Sequence, residues 1–170
     1  MGTFNGKITA EFTPPQTWVL EKGLSFATDD LTDQEIATLK HVGANIAESG
    51  RITCKKGMKT DLASTPRILW NFIAPWDVAR AAIIHDHLYS TLRVFYDNNI
   101  RLGKGDKEEH KNKWAQARAI SDKVFRLAME SATPEVPAWK IKSAYQAVRL
   151  FGRWPASKQE ESAYLTGKGK

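Results

Sequence analysis

Alternation of apolar and polar residues marks the start of the chain. Residues Gly6 to Thr13 follow period two through Lys-Ile-Thr-Ala-Glu-Phe, a strand pattern that Pro14 and Pro15 stop. Trp18 to Ala27 offers a second strand, so the N-terminus is expected to form a small β-hairpin or meander. Thr32-Asp-Gln-Glu35 has capping-box spacing and predicts a short helix from Asp33 to about His41. Gly43 and Gly50 bracket a polar loop, and Arg51 to Cys54 reads as a further short strand. Helical periodicity then takes over. Pro66, preceded by Ser64 and Thr65, starts a helix to about Phe72. Asp77 is the expected cap of a central helix from about Val78 to Leu92. An irregular Asn- and Gly-rich excursion over Phe95 to Gly105 precedes a long helix from about Lys107 to Ser131. The last helix, Ala138 to Phe151, has the apolar stripe Ile141, Ala144, Tyr145, Val148 and Phe151, with Gly152 as its stop. The pattern predicts a mainly α (α+β) fold, a helical single domain with a small N-terminal β element. Residues 1–155 form that domain, β-rich over 1–57 and helical over 58–152, and 156–170 form a polar tail.

Two places break the apolar pattern with charge. The central helix runs Ala79-Arg-Ala-Ala-Ile-Ile-His-Asp-His-Leu-Tyr89, and at 100° per residue His85 falls on the stripe of Val78, Ala81, Ala82, Leu88, Tyr89 and Leu92. Asp86 lies about a quarter-turn away and His87 points to the opposite side. The long helix is apolar on more than one side, with Ala117, Ile120, Val124 and Leu127 on one face and Trp114, Phe125 and Met129 extending it toward Asp122. A buried Asp122 needs a partner. One arrangement is a dyad, in which the Asp122 carboxylate holds one nitrogen of His85 and leaves the other to activate water, with Tyr89 bonding the same carboxylate. The competing arrangement has Asp122 bridging Arg118 and Arg126 at i−4 and i+4, with His85 a core histidine satisfied by a backbone carbonyl. Asp86, together with Asp61, offers oxygen ligands for calcium. Asp61 and Ser64 have local roles as turn and cap residues to set against a ligand-binding lip. A transition-metal site from His85, Asp86, His87 and Asp61 is disfavoured, because adjacent helical residues rarely converge on one ion.

Composition narrows the class. The chain has 170 residues and a single cysteine, Cys54, which excludes an internal disulfide framework and a cysteine-based zinc site. No apolar run reaches the length of about 18 residues that a membrane span requires, and no secretory signal is visible. Synthesis in the cytoplasm is expected, with delivery by an assembled particle or another non-signal route left open. The net charge of +6 favours acidic partners: an acidic protein surface, anionic lipid or nucleic acid. Nucleic acid ranks below the others, since neither a DNA-reading motif nor an aromatic RNA-binding signature is present.

The run Thr60-Asp-Leu-Ala-Ser-Thr-Pro66, then Trp70, Pro75 and Ala81-Ala-Ile-Ile-His-Asp-His-Leu-Tyr89, continues to Asp122-x-x-Phe125-x-x-Ala128-Met129 and Ala147-Val-Arg-x-Phe-Gly152. This order resembles a widespread family of phage- and prophage-encoded proteins, a domain of unknown function. The resemblance implies a phage accessory or virion-associated protein with phage or host proteins as partners. It leaves open a tail or capsid component or a factor that binds a host protein. A looser similarity links His85-Asp86-x-x-Tyr89 and Asp122 to the catalytic helix pair of the secreted phospholipase A-two superfamily. By that similarity His85 would be the water-activating base, Asp122 its orienting carboxylate, Tyr89 a hydrogen-bond partner and Asp86 a calcium ligand. The implied activity is calcium-dependent ester hydrolysis. The glycine-rich calcium loop and the paired disulfides of that superfamily have no counterpart here.

Overall fold

The computed structural model describes residues 1–13, 17–60, 75–103 and 105–157. The fold is mainly α with a smaller β part. Six short strands come first: β1 (Thr3–Phe4), β2 (Ala10–Thr13), β3 (Thr17–Leu20), β4 (Leu24–Ala27), β5 (Arg51–Cys54) and β6 (Lys59–Thr60). They pair entirely antiparallel into two three-stranded sheets, ordered β1-β4-β5 and β2-β3-β6. The expected hairpin is β2–β3, with Ala10 opposite Leu20 and Phe12 opposite Trp18.

The expected strand from Trp18 to Ala27 is two strands, one in each sheet. A continuous period-two strand would place Lys22 on the same face as Leu20 and Leu24, both of which are buried. Burying an unpaired ammonium is costly, and the chain instead bends outward through the exposed residues Glu21, Lys22 and Gly23. Leu20 then closes onto Met58 and Gly57 through backbone hydrogen bonds.

Helix α1 (Asp33–His41) starts on the predicted capping box, in which the Thr32 hydroxyl accepts from the Glu35 amide and the Glu35 carboxylate accepts from the Thr32 amide. Glu35 also receives Lys123 at 2.8 Å, which ties α1 to the long helix. The loop after α1 depends on Gly50, whose φ of 71° suits glycine and whose added Cβ would lie 2.1 Å from the Thr28 carbonyl oxygen. The central helix, α2 (Pro75–Phe95), begins two residues before Asp77, which is therefore inside the helix and not its cap. Proline at the first helical position loses no intrahelical hydrogen bond. The expected helix over Pro66 to Phe72, together with Asp61, Ser64 and Trp70, lies outside the described residues.

Part of the expected irregular excursion is helical. A π-helical segment, Tyr96–Arg101, continues directly from α2 and buries Ile100. Asp106 then caps α3 (Lys107–Glu130), its carboxylate accepting the amides of Glu108 and Glu109. Helix α4 (Ala138–Phe151) has the predicted bounds and is followed by α5 (Arg153–Ser157). Its stripe departs from expectation at the end, where Phe151 is exposed while Ala147 is buried.

α2 packs chiefly against α3 on one side and meets β4 and β5 on another, while α4 lies against α3. Nearly every residue of α2 from Val78 to Leu92 is at least partly buried, so this helix runs through one contiguous apolar core. α3 is buried on two sides, through Ala117, Val124 and Ala128 and through Trp114, Phe125 and Met129. Asp122 lies on the covered part of α3, while charges such as Lys111 and Glu130 stay on its solvent side.

Candidate active site

Asp122 lies where α2, α3 and α4 meet, with none of its surface exposed. Its Oδ1 is 3.0 Å from His85 Nε2 and accepts the Tyr89 hydroxyl at 2.7 Å. Its Oδ2 accepts Arg149 Nη1 at 2.8 Å. The spacing on α2 makes this possible, because residues 85 and 89 are one helical turn apart and reach the same oxygen. The phenol and imidazole ring centroids are 4.0 Å apart, and the Phe125 ring also packs against His85, at 4.8 Å.

The ladder Arg118–Asp122–Arg126 is not formed. Arg126 faces Glu130 and lies over the Tyr145 ring, and Arg118 donates to the Arg149 carbonyl oxygen at 3.4 Å. Asp122 turns inward to His85 and takes its cation from α4.

Burial alone would raise the Asp122 carboxyl above its ordinary value of 3.8. The hydrogen bond and charge of His85, with the bonds from Tyr89 and Arg149, outweigh burial and hold it lower. An ionised carboxylate can only accept, so Nε2 of His85 carries a proton toward it. In the neutral ring the lone pair is then on Nδ1. Burial pushes the Tyr89 hydroxyl upward, and the negative charge of Asp122 adds to that shift. Tyr89 is therefore a fixed donor.

Gly152 completes the corner between α4 and α5. An added Cβ there would stand 2.2 Å from the Tyr89 hydroxyl oxygen and 2.3 Å from the Val148 carbonyl oxygen. The residue is glycine because the phenol occupies the space a side chain would take.

Of the residues expected at the site, His85, Asp122 and Tyr89 come together. Asp86 instead meets β6, where its Oδ2 accepts the Thr60 hydroxyl. Nearby, the buried Cys54 thiol is pushed up to about 12 by burial and by the Asp86 charge. A thiol held protonated is no nucleophile. His87 is shifted downward by burial and by Lys55, and its Nε2 finds no hydrogen-bond partner among the described residues. Asp61 lies outside the described residues.

Calcium takes six to eight oxygen ligands. Among the described residues no group of three His, Cys, Asp or Glu side chains could hold a metal ion. Sequence pattern named Gly152 only as a helix stop and Arg149 only within the Ala147-Val-Arg-x-Phe-Gly152 run, and placed neither at the site. Arg149 had a faint signal as a cation on the flank of the stripe, one residue after the buried Val148.

A family model described as "Protein of unknown function (DUF1353)" matches residues 39–148. Neither the curated proteins nor the solved structures provide a match to the chain. Among the described residues no helix is long and apolar enough to cross a membrane.

Proposed function

The chain belongs to that family, DUF1353, and from the geometry of its buried cluster we propose that it is an ester hydrolase in which His85 activates water. The carrying observation is the 3.0 Å contact between His85 Nε2 and Asp122 Oδ1, with Tyr89 on the same oxygen. In the proposed reaction, Nδ1 of His85 takes a proton from water as the water oxygen bonds to the ester carbonyl carbon. The imidazolium gives that proton to the departing alkoxide as the carbon–oxygen bond breaks. Asp122 offsets the charge that His85 carries between the two transfers. His85 is 1% exposed, so this reading requires the wall over Nδ1 to open when substrate enters. Within the same proposal the protein is a phage-encoded accessory or virion-associated factor, acting in the host cytoplasm or from the particle, on a phospholipid-like ester. The phage assignment rests on the motif order from Thr60 to Gly152. Calcium enters only through Asp86 and Asp61, and no step is routed through it.

Fatty-acid release from phospholipid by the purified chain, measured with calcium and with a chelator, tests the reading. Release that disappears in a folded His85→Ala variant supports it. No release by the unaltered chain in either condition, or equal release by the variant, sinks it.

Complete burial of Asp122 favours a second reading, a non-catalytic phage structural protein or host-binding factor in which the cluster joins three helices. That reading predicts a His85→Ala variant of lower stability, no turnover from either chain, and a stoichiometric phage or host protein bound to both.

A further inference from the structure

The C-terminal helices have a face that the site does not use. α4 turns Ile141, Ala144, Ala147 and Val148 into the core, and its opposite side presents Trp139, Lys142, Gln146 and Leu150. The Gly152 amide bond to Val148 closes α4 and the Ala156 amide bond to Gly152 opens α5, so Arg153 and Trp154 stand just beyond the corner, both exposed. Trp139, Leu150, Phe151 and Trp154 are 57%, 74%, 59% and 72% exposed. Exposed apolar residues scattered singly need no explanation, whereas a concentration of large ones marks a contact surface. No acid occurs in the sequence between Glu135 and Glu160, a span in which Lys142 and Arg153 are exposed.

We propose that this face docks the protein on an anionic lipid surface. Indole rings settle at the boundary between headgroup and acyl chain, where Leu150 and Phe151 also gain by leaving water. Lys142 and Arg153 flank them at a reach suited to headgroup phosphates. A second copy of the chain fits poorly, because a two-fold contact through this face would set the exposed Lys142 and Arg153 of one copy near those of the other. Single-stranded nucleic acid is held in a basic groove with stacked rings. Here the exposed apolar residues lie on the outer side of a packed helix and the corner after it, with aliphatic Leu150 between the two indoles in sequence. The docking face is independent of turnover at His85. It adds to the hydrolase reading a substrate presented at a membrane.

Flotation of the full chain with vesicles tests the proposal. The unaltered chain is expected to float with phosphatidylglycerol-containing vesicles, not with pure phosphatidylcholine, and to be released by salt. Lys142→Glu with Arg153→Glu should lower partition by about fivefold or more for each basic residue removed. Trp139→Ser with Trp154→Ser should abolish flotation while leaving Tm unchanged, and His85→Ala should float like the unaltered chain. Failure of the unaltered chain to float with anionic vesicles would overturn the proposal, whatever the state of the variants. So would a dimer mass in light scattering that the tryptophan pair variant loses, or a shift of single-stranded oligonucleotide without vesicle binding.

Discussion

The two flanks of α2 carry carboxylates with different surroundings. Toward α3 and α4, Asp122 receives an imidazole, a phenol and a guanidinium, one from each of three positions along the chain. Toward the strands, Asp86 accepts the Thr60 hydroxyl beside a protonated Cys54 thiol. The first flank gathers a histidine, a phenol and an arginine around a carboxylate that is itself fully buried. The second is a seam joining helix to sheet. A buried charge is held at low cost only when its partners arrive already positioned. Side chains on three packed helices meet that condition.

Substitutions should separate the two flanks by size of effect. Asp122→Ala leaves Arg149, His85 and Tyr89 without their shared acceptor and is expected to cost about 3–5 kcal/mol in denaturant unfolding. A loss below about 1 kcal/mol would show that the cluster is not the anchor of the helical flank. Gly152→Ala drives a methyl against the Tyr89 hydroxyl and should cost about 1–3 kcal/mol, with the Tyr89 environment altered in near-ultraviolet circular dichroism. Thr60→Val tests the seam, where loss of the hydroxyl that Asp86 accepts should cost about 1–3 kcal/mol. A larger effect than that of Asp122→Ala would reverse the ranking of the flanks. Tyr89→Phe removes one of three donors to Asp122 and should cost about 0.5–1.5 kcal/mol.

The smallest expected effect is on pH dependence. His87 has a folded-state value below its ordinary 6.5, so its contribution is complete above that pH and is lost as pH falls toward the lower folded value. Asp122 behaves likewise below 3.8, its contribution falling away only as pH passes through the lower folded value. His87→Leu should therefore flatten the unfolding midpoint just below pH 6.5 and leave the acid limb below 3.8 in place. A slope just below pH 6.5 that survives the substitution would assign it to another group.

Features set by neighbouring residues could be read from the chain. The Thr32–Glu35 capping box, β5 and the bounds of α4 all depend on contacts a few residues apart, and each stands where the pattern put it. The path at Lys22 was hidden because alternation alone does not say that Leu20 and Leu24 belong to different sheets. The π-helical segment was hidden for a related reason. Its residues Asp97, Asn98 and Asn99 favour loops, and the burial of Ile100 against the core overrides that preference. At the candidate site, His85 and Tyr89 were legible as polar groups one turn apart on an apolar stripe. The cationic partner of Asp122 was not. Two arginines on its own helix offered the nearest cations by spacing, while the one that arrives is 27 residues away on α4.

The corner at Gly152 also bears on where the folding unit can be cut. The family match ends at residue 148, yet Arg149, Gly152 and the buried Ala156 follow it. An expression fragment trimmed to the matched span would keep Asp122, His85 and Tyr89 and discard the guanidinium that answers them. It would also strip α4 of its last turn and leave the phenol facing water. A fragment meant to preserve the helical core has to run through α5.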